Sequence, residues 1–283
     1  MNITIIGCGY VGTAIARYWH QASEHQLTVT TTTTDRLEEL GAIAQRSVVL
    51  QGADASALHT VLQHQEVVVV TVAPTGNQQV DADGYEQTYL GTCKNLVAVL
   101  PQVPTVRQVI YTSSCSVYGD AHGNWVDETT PITPDNRHSE ILYEAEQILL
   151  SGAKAHLRPD VRICIFRMGA IYGPGRDIKH RFAKLAGTTR PGTGEHFTNW
   201  THVDDIVAAV EFARDRQLHG IYNLVGDTPV TAHELMDRVC EQSGLPAVQW
   251  DPTVPRSRSN NRRVSNQKLQ QQGYHFLHPA LEI

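Results

Sequence analysis

A chain of 283 residues is long enough for one large domain or two lobes with a sizeable core. With 41% hydrophobic and 18% charged residues and a net charge of −6, it has the composition of an ordinary globule. That balance excludes a general electrostatic pull towards nucleic acid or an anionic membrane. Its most apolar run, Val67 to Ala73, is far short of the roughly 20 residues that a spanning helix requires.

In chain order, the first element is the apolar run Asn2–Gly7. It meets Gly7-x-Gly9-x-x-Gly12, after which small and apolar residues repeat at helical spacing over Val11–Gln21. A strand, three glycines and a helix start form the context that turns this pattern into a dinucleotide-binding signal. Gly7 makes the tight turn, Gly9 lets backbone approach a pyrophosphate, and Gly12 lets the helix pack close to the sheet. Tyr10 and Val11 open that helix, whose free N–H groups favour phosphate. Further strands are predicted at Leu27–Thr32, Ser47–Gln51, Val67–Val72, Gln108–Ser113 and Arg162–Met168. Helices are predicted at Arg36–Leu40, Ala55–Leu62, Gly84–Leu100, Ser139–Ala153 and Ile178–Leu185. Such alternation of strands and helices predicts an α/β fold, a doubly wound parallel Rossmann sheet covered on both faces. After about residue 173 the pattern breaks into Gly, Pro and Thr-rich pieces. We therefore expect a dinucleotide-binding domain over 1–172, returning to the sheet near 199–226, and a smaller C-terminal substrate lobe over 173–283.

The second strand ends in Thr31, Thr32, Thr33 and Thr34, followed by Asp35 and Arg36, where an NAD-selective site commonly has an acid. Hydroxyls and an arginine suit a 2′-phosphate better, which points to NADP over NAD. Alternatively, Arg36 simply begins the Arg36–Leu40 helix at the surface. Asp54 can accept from the adenine amino group, cap the Ala55–Leu62 helix, or do both. Cys8, Cys93, Cys115, Cys164 and Cys240 form neither a disulfide framework nor a zinc pattern and fit a reducing, cytoplasmic setting. The opening residues also lack the charged and apolar regions of a secretory signal. The fourteen histidines include no helical His-x-x-x-His pair, so spacing predicts no metal site.

Several stretches resemble signature segments of the extended short-chain dehydrogenases/reductases, in the NAD-dependent epimerase/dehydratase branch. They are Tyr111-Thr-Ser-Ser-Cys-Ser-Val-Tyr-Gly119, Phe166-Arg-Met-Gly-Ala-Ile-Tyr-Gly-Pro-Gly-Arg176, Asn199-Trp-Thr-His-Val-Asp-Asp205 and Ile221-Tyr-Asn-Leu-Val-Gly-Asp227, followed by Pro229 to Leu235. The resemblance implies a small-molecule, carbohydrate-like or nucleotide-sugar substrate, with Ser114 orienting the reacting oxygen. It places Ala73 and Gly169 along the cofactor, with the backbone near Gly169 approaching the nicotinamide carboxamide. It also implies that the Gly84–Leu100 and Glu140–Leu150 helices pair across a two-fold axis in a homodimer.

The family's Tyr-x-x-x-Lys is absent. Tyr143 is followed by Gln147 where lysine belongs. A second register, anchored on Glu146, puts His138 at the tyrosine position and Leu142 at the lysine position, and its spacing from Ser114 matches the family better. His138 and Tyr143 are about 140° apart on a helix, so one site cannot use both. The resemblance is therefore to an atypical subgroup without the lysine, either an enzyme with a replacement acid/base or a non-catalytic NAD(P)-binding sensor or scaffold. By resemblance the segment at Asn199–Asp205 starts a helix, so that Asp204 or Asp205 is only a cap. The basic stretch Pro255–Arg263 either clamps a phosphorylated substrate or is a solvated loop; it lacks the interleaved aromatic residues that a nucleic-acid role requires.

Overall fold

The computed structural model describes residues 1–74, 81–155, 161–257 and 260–283. The first elements are β1 (Asn2–Ile6), α1 (Tyr10–Ala22), β2 (Gln26–Thr31), α2 (Leu37–Gly41), β3 (Arg46–Val49), α3 (Ala55–Leu62), β4 (Val67–Val70), α4 (Ala82–Tyr85), α5 (Thr92–Val99) and β5 (Gln108–Ser114). Next come β6 (Trp125–Val126), α6 (Arg137–Ala155), β7 (Arg162–Met168), β8 (Ala170–Tyr172), α7 (Ile178–Ala183), β9 (Thr189–Pro191), β10 (Phe197–Thr198) and β11 (Trp200–His202). The chain closes with α8 (Val203–Arg216), β12 (Gly220–Leu224), β13 (Val230–Thr231), α9 (Ala232–Ser243), β14 (Gln249–Asp251), β15 (Arg263–Val264) and α10 (Gln267–Gln271).

Seven strands form one sheet in the order β12-β7-β5-β4-β1-β2-β3, with β1 parallel to both β2 and β4. The order reverses between β1 and β4, the switch point at which doubly wound sheets bind ligands. Along the buried strands, alternate residues serve opposite faces. Val68, Val70, Val109, Tyr111, Ile163 and Ile165 join one core with the inner faces of α3, α5 and α6. The intervening Gln108 points the other way, and its Nε2 donates to the Ala213 carbonyl at 2.8 Å and the Leu218 carbonyl at 3.3 Å at the end of α8. On that second face the buried Trp19 of α1 donates its Nε1–H to Glu211 Oε2 of α8 at 2.7 Å. Both faces are thus covered, as the alternating pattern predicts.

The long helix predicted over Gly84–Leu100 is helical throughout but not uniform. Asp81 caps α4 by accepting from the Gly84 amide at 2.9 Å, and a wide π turn at Glu86–Gly91 separates α4 from α5. The sheet also gains a strand, β12, that periodicity alone did not mark. Its apolar run is short and follows directly on a helix.

The chain divides into two compact units. The first comprises Met1–Ser113, Arg137–Phe166 and Val207–Ile221; the second comprises Ser114–Asn136, Arg167–Ile206 and Tyr222–Ile283. Each unit draws on separate segments, where the sequence reading has a domain over 1–172 that returns to the sheet near 199–226 and a lobe over 173–283. In the second unit, β8 pairs with β11, β9 with β14 and β6 with β15, all parallel, while β10 and β13 pair antiparallel. Its core gathers Tyr172, Trp200, Leu235, Val239 and Val248. The helix α9 carries a capping box, Thr231 accepting from the Glu234 amide and Glu234 from the Thr231 amide.

Gln108→Leu keeps the volume of the buried side chain but removes the donor shared by the Ala213 and Leu218 carbonyls. An unfolding free energy lower by about 1–3 kcal/mol in urea titration is expected; an unchanged midpoint would show that the end of α8 is held by other contacts.

Candidate functional site

In the first unit the glycine loop is held tightly from below. Gly7 has φ +90, and a Cβ there would stand 2.9 Å from the Val72 Cα. A Cβ on Gly12 would lie 2.6 Å from Thr71 Oγ1 and 2.7 Å from the Gly7 carbonyl. Thr30 Oγ1 accepts from the Gly7 amide at 3.0 Å, and Thr71 donates to the Gly7 carbonyl at 2.7 Å. Thr30 and Thr71 were not singled out by sequence reasoning, because hydroxyls at strand ends are too common to be a signal. A Cβ on Gly9, in contrast, would meet nothing within 4 Å, and no side chain caps α1, which Tyr10 and Val11 begin. The loop is therefore crowded on the protein side and open on the other, which fits a dinucleotide pyrophosphate over the helix N-terminus.

Arg36 is not a plain surface residue. It ends a short turn before α2, and its side chain folds back over the glycine loop, donating to the Cys8 carbonyl and to Thr13 Oγ1, the latter at 3.2 Å. Glu39 pairs with it at 3.1 Å. Thr31 is buried and accepts from the Thr33 amide, whereas Thr32 is exposed. Asp54 caps α3 by accepting from the Ala57 amide at 2.9 Å and remains exposed, so capping is established for it and leaves an oxygen open. Ala73 is exposed just beyond β4.

His138 and Tyr143 both lie on α6 and are half-buried; the His138 ring stands edge-on to Tyr85 at 4.3 Å. Leu142, at the lysine position of the His138 register, is buried, while Gln147 is exposed. Glu146 is fully buried and accepts from Ser113 at 2.6 Å, tying α6 to the carboxyl end of β5.

In the second unit Ser114 caps the turn Cys115–Tyr118, accepting from the Ser116 amide at 3.1 Å, and lines a cavity of about 550 Å³. Three arginines, Arg190, Arg256 and Arg262, reach this cavity, and no acidic side chain does among its described lining residues. Arg256 donates to Asn260 at 2.9 Å, and Arg262 is buried with one nitrogen donating to the Gly119 carbonyl. Three buried polar atoms here have no protein partner: Trp250 Nε1, His196 Nδ1 and Arg262 Nε. Buried donors of this kind are costly unless something completes them. Of the basic stretch, Arg258 and Ser259 lie outside the described residues. None of the cavity's histidine and tryptophan contacts was visible in sequence, since they come from separate loops.

One sequence reading gains a packing reason here and another changes. Gly169 also lines the cavity, but its lack of a side chain is already required by the crossing backbone: a Cβ would lie 2.5 Å from the Asn199 carbonyl, and its amide donates to Thr201 Oγ1 at 2.9 Å. Asp205 is not a helix cap. It is buried, and its carboxylate accepts from the Leu277 amide at 2.7 Å, the His278 amide at 3.1 Å and the Tyr274 hydroxyl at 3.3 Å, fastening the C-terminal segment.

A family model described as the NAD dependent epimerase/dehydratase family matches residues 3–224. The chain belongs to that family. It is 28% identical over 264 residues to Protein YeeZ of Escherichia coli K12, spanning 88% of this chain and 86% of the relative. A solved protein of unknown function from Silicibacter pomeroyi superposes with a TM-score of 0.76 at 25% identity, covering 99% and 94% of the two chains. UDP-glucuronic acid 4-epimerase from Bacillus cereus, solved with UDP-glucuronic acid and NAD, shares the fold with a TM-score of 0.79 at 17% identity, covering 96% of this chain and 92% of the epimerase. Among the described residues no helix is long and apolar enough to cross a membrane.

Burial, and then the nearby Arg256, push the His196 imidazole down to about 4. Because its unfolded value is near 6.5, the unfolded chain binds more protons between these limits, so His196 makes the fold less stable as pH falls from about 6.5 to 4. His196→Gln is expected to flatten that part of the stability–pH curve relative to wild type in chemical denaturation; parallel curves would place His196 in a more solvated setting.

Proposed function

We propose that this family member is an NAD(P)-dependent oxidoreductase, epimerase or dehydratase acting on an anionic, phosphorylated carbohydrate of the nucleotide-sugar kind. The observation that carries the substrate class is the cavity of the second unit: three arginines, no described acid, and unpartnered buried donors in a protein of net charge −6. Guanidinium forks match phosphate oxygens, and an acceptor-rich ligand completes the Trp250 and Arg262 donors. The Bacillus cereus epimerase that shares the fold was solved with UDP-glucuronic acid, which agrees with this reading.

The glycine loop and the first turn of α1 would hold the dinucleotide pyrophosphate, with Thr32 and Arg36 beside its adenosine ribose and Asp54 and Ala73 further along the switch-point edge. Arg36 already lies across the glycine loop, which supports NADP; a 2′-phosphate would compete with Glu39 for its guanidinium. When bound, the nicotinamide supplies hydride exchange with a carbinol carbon. Gly169 keeps its place beside the carboxamide by resemblance. Ser114 would donate to the reacting oxygen, leaving the Ser116 amide on its acceptor side. His138 is the proposed proton carrier, since an imidazole titrates near neutral pH, and Tyr143 is the other candidate on the same helix.

A sensor or scaffold reading is favoured by one observation: Leu142 is buried, so α6 offers no cation at the lysine position of the His138 register. The two readings part in a fluorescence and turnover experiment. An enzyme should quench or oxidise bound NADPH when nucleotide sugars are added, whereas a sensor should bind NADPH with no turnover across the panel.

Three variants follow. Arg36→Ala should weaken NADPH binding by about tenfold or more while sparing NADH, the loss of one charge-assisted contact; equal effects on both would remove the NADP preference. Arg256→Ala should raise KM by about ten- to a hundredfold with little change in kcat. His138→Ala should abolish turnover with dinucleotide affinity unchanged; retained activity, with loss in Tyr143→Phe, transfers the proton role to Tyr143.

A further inference from the structure

The C-terminal segment meets the corner between β11 and α8 through a cluster that the cofactor and substrate readings do not use. His202 Nδ1 and His278 Nε2 each stand 3.6 Å from the same oxygen, Oδ2 of Asp204. One ligand atom from each of the three residues falls within 4.8 Å of those of the other two. His202 is buried, His278 is about one-fifth exposed and Asp204 faces solvent, so the group has a dry side and an open side.

We propose that His202, Asp204 and His278 form a site for a divalent transition metal of the zinc type, with water in the fourth position. Four donors about 2.1 Å from a tetrahedral zinc stand about 3.4 Å from one another, so the two 3.6 Å separations need only a small contraction, while the His202 and His278 rings, tilted by 35° with centroids 3.7 Å apart, must turn to aim both nitrogens at one ion. The donor set of two imidazoles and one carboxylate suits zinc and not magnesium, which requires oxygen ligands in an octahedron.

Two further observations point the same way. The far nitrogen of His278, Nδ1, is 2.9 Å from Glu282 Oε1. A carboxylate on the non-ligating nitrogen of a metal-binding histidine fixes its tautomer and aims the other nitrogen, here Nε2 at Asp204. The backbone of His278 is itself fastened, because its amide and that of Leu277 donate to the buried Asp205. His278 is thus positioned before any ion arrives. His202 Nδ1 accepts from the Asp204 amide at 3.2 Å, a long bond that metal ligation would replace. The cluster escaped the spacing argument because His278 lies far along the chain from His202 and Asp204. A bound ion would clip the segment Tyr274–Ile283 to the β11–α8 corner.

The test is calorimetric titration of tag-free, chelator-treated full-length protein with Zn²⁺, alongside thermal unfolding with and without the ion. One equivalent should bind and raise the melting temperature, Mg²⁺ should do neither, and Co²⁺ should give tetrahedral visible absorption. His278→Ala and Asp204→Ala should lose both the binding and the shift. Glu282→Gln, at an exposed position, should weaken Zn²⁺ binding by about ten- to a hundredfold without altering the metal-free melt. His180→Ala, an exposed histidine on α7, should change nothing. Absence of a zinc-dependent shift in wild type, zinc binding that survives in His278→Ala or Asp204→Ala, or undiminished affinity in Glu282→Gln, overturns the proposal. None of these readouts depends on dinucleotide binding or turnover.

Discussion

The close approach of α1 to the carboxyl ends of β1 and β4 is the constraint on which the first unit depends. It requires no side chain at Gly12, where a Cβ would collide with Thr71 and the Gly7 carbonyl, and a positive φ at Gly7 beside Val72. Thr30 and Thr71 complete the arrangement by taking up the polar groups of Gly7. The same geometry that packs the helix leaves the outer side of Gly9 open. One local constraint thereby both packs the helix and leaves its N-terminus open, and Arg36 laid over the loop brings a positive charge beside it.

The second unit works by a different principle. Its paired strands are short, and its order comes from buried polar anchors between segments distant in sequence. Asp205 fastens the C-terminal segment, and Asn199 accepts from the Val264 amide and donates to the Arg262 carbonyl, holding the strand that follows the basic stretch. Such anchors are expensive to leave unsatisfied, which makes the placement of these loops specific. That specificity is what lets three arginines line one cavity without a neutralising acid among its described lining residues.

Much of the first unit could be read in advance. Apolar runs buried on both faces, the spaced glycines and the helical repeats are local signals, and the structure keeps them with shifts of a residue or two at the ends. The π turn at Glu86–Gly91 was not legible, and of β12 only the return to the sheet near 199–226 was, because hydrogen-bond register within a helix and the bounds and partner of a short strand depend on packing. Of the two meanings held open for Asp54, the cap is established and leaves an oxygen to spare, and the cap offered for Asp205 gave way to a long-range anchor.

By itself, the amino-acid order determined the doubly wound sheet, the spaced-glycine loop at its switch point and the absence of the customary lysine after His138 or Tyr143. These are properties of neighbours in sequence: periodicity, glycine spacing and a residue's identity. Tertiary structure alone decided that Arg36 folds onto the glycine loop, that Gly169 is small because Asn199 crosses it, and that His196, Trp250 and Arg256 share one cavity. It also decided that His202, Asp204 and His278 meet at all. The physical reason is the same in each case. Charges and buried donors act over a few ångströms of space, and the distance in sequence between the groups they join carries no trace of that contact.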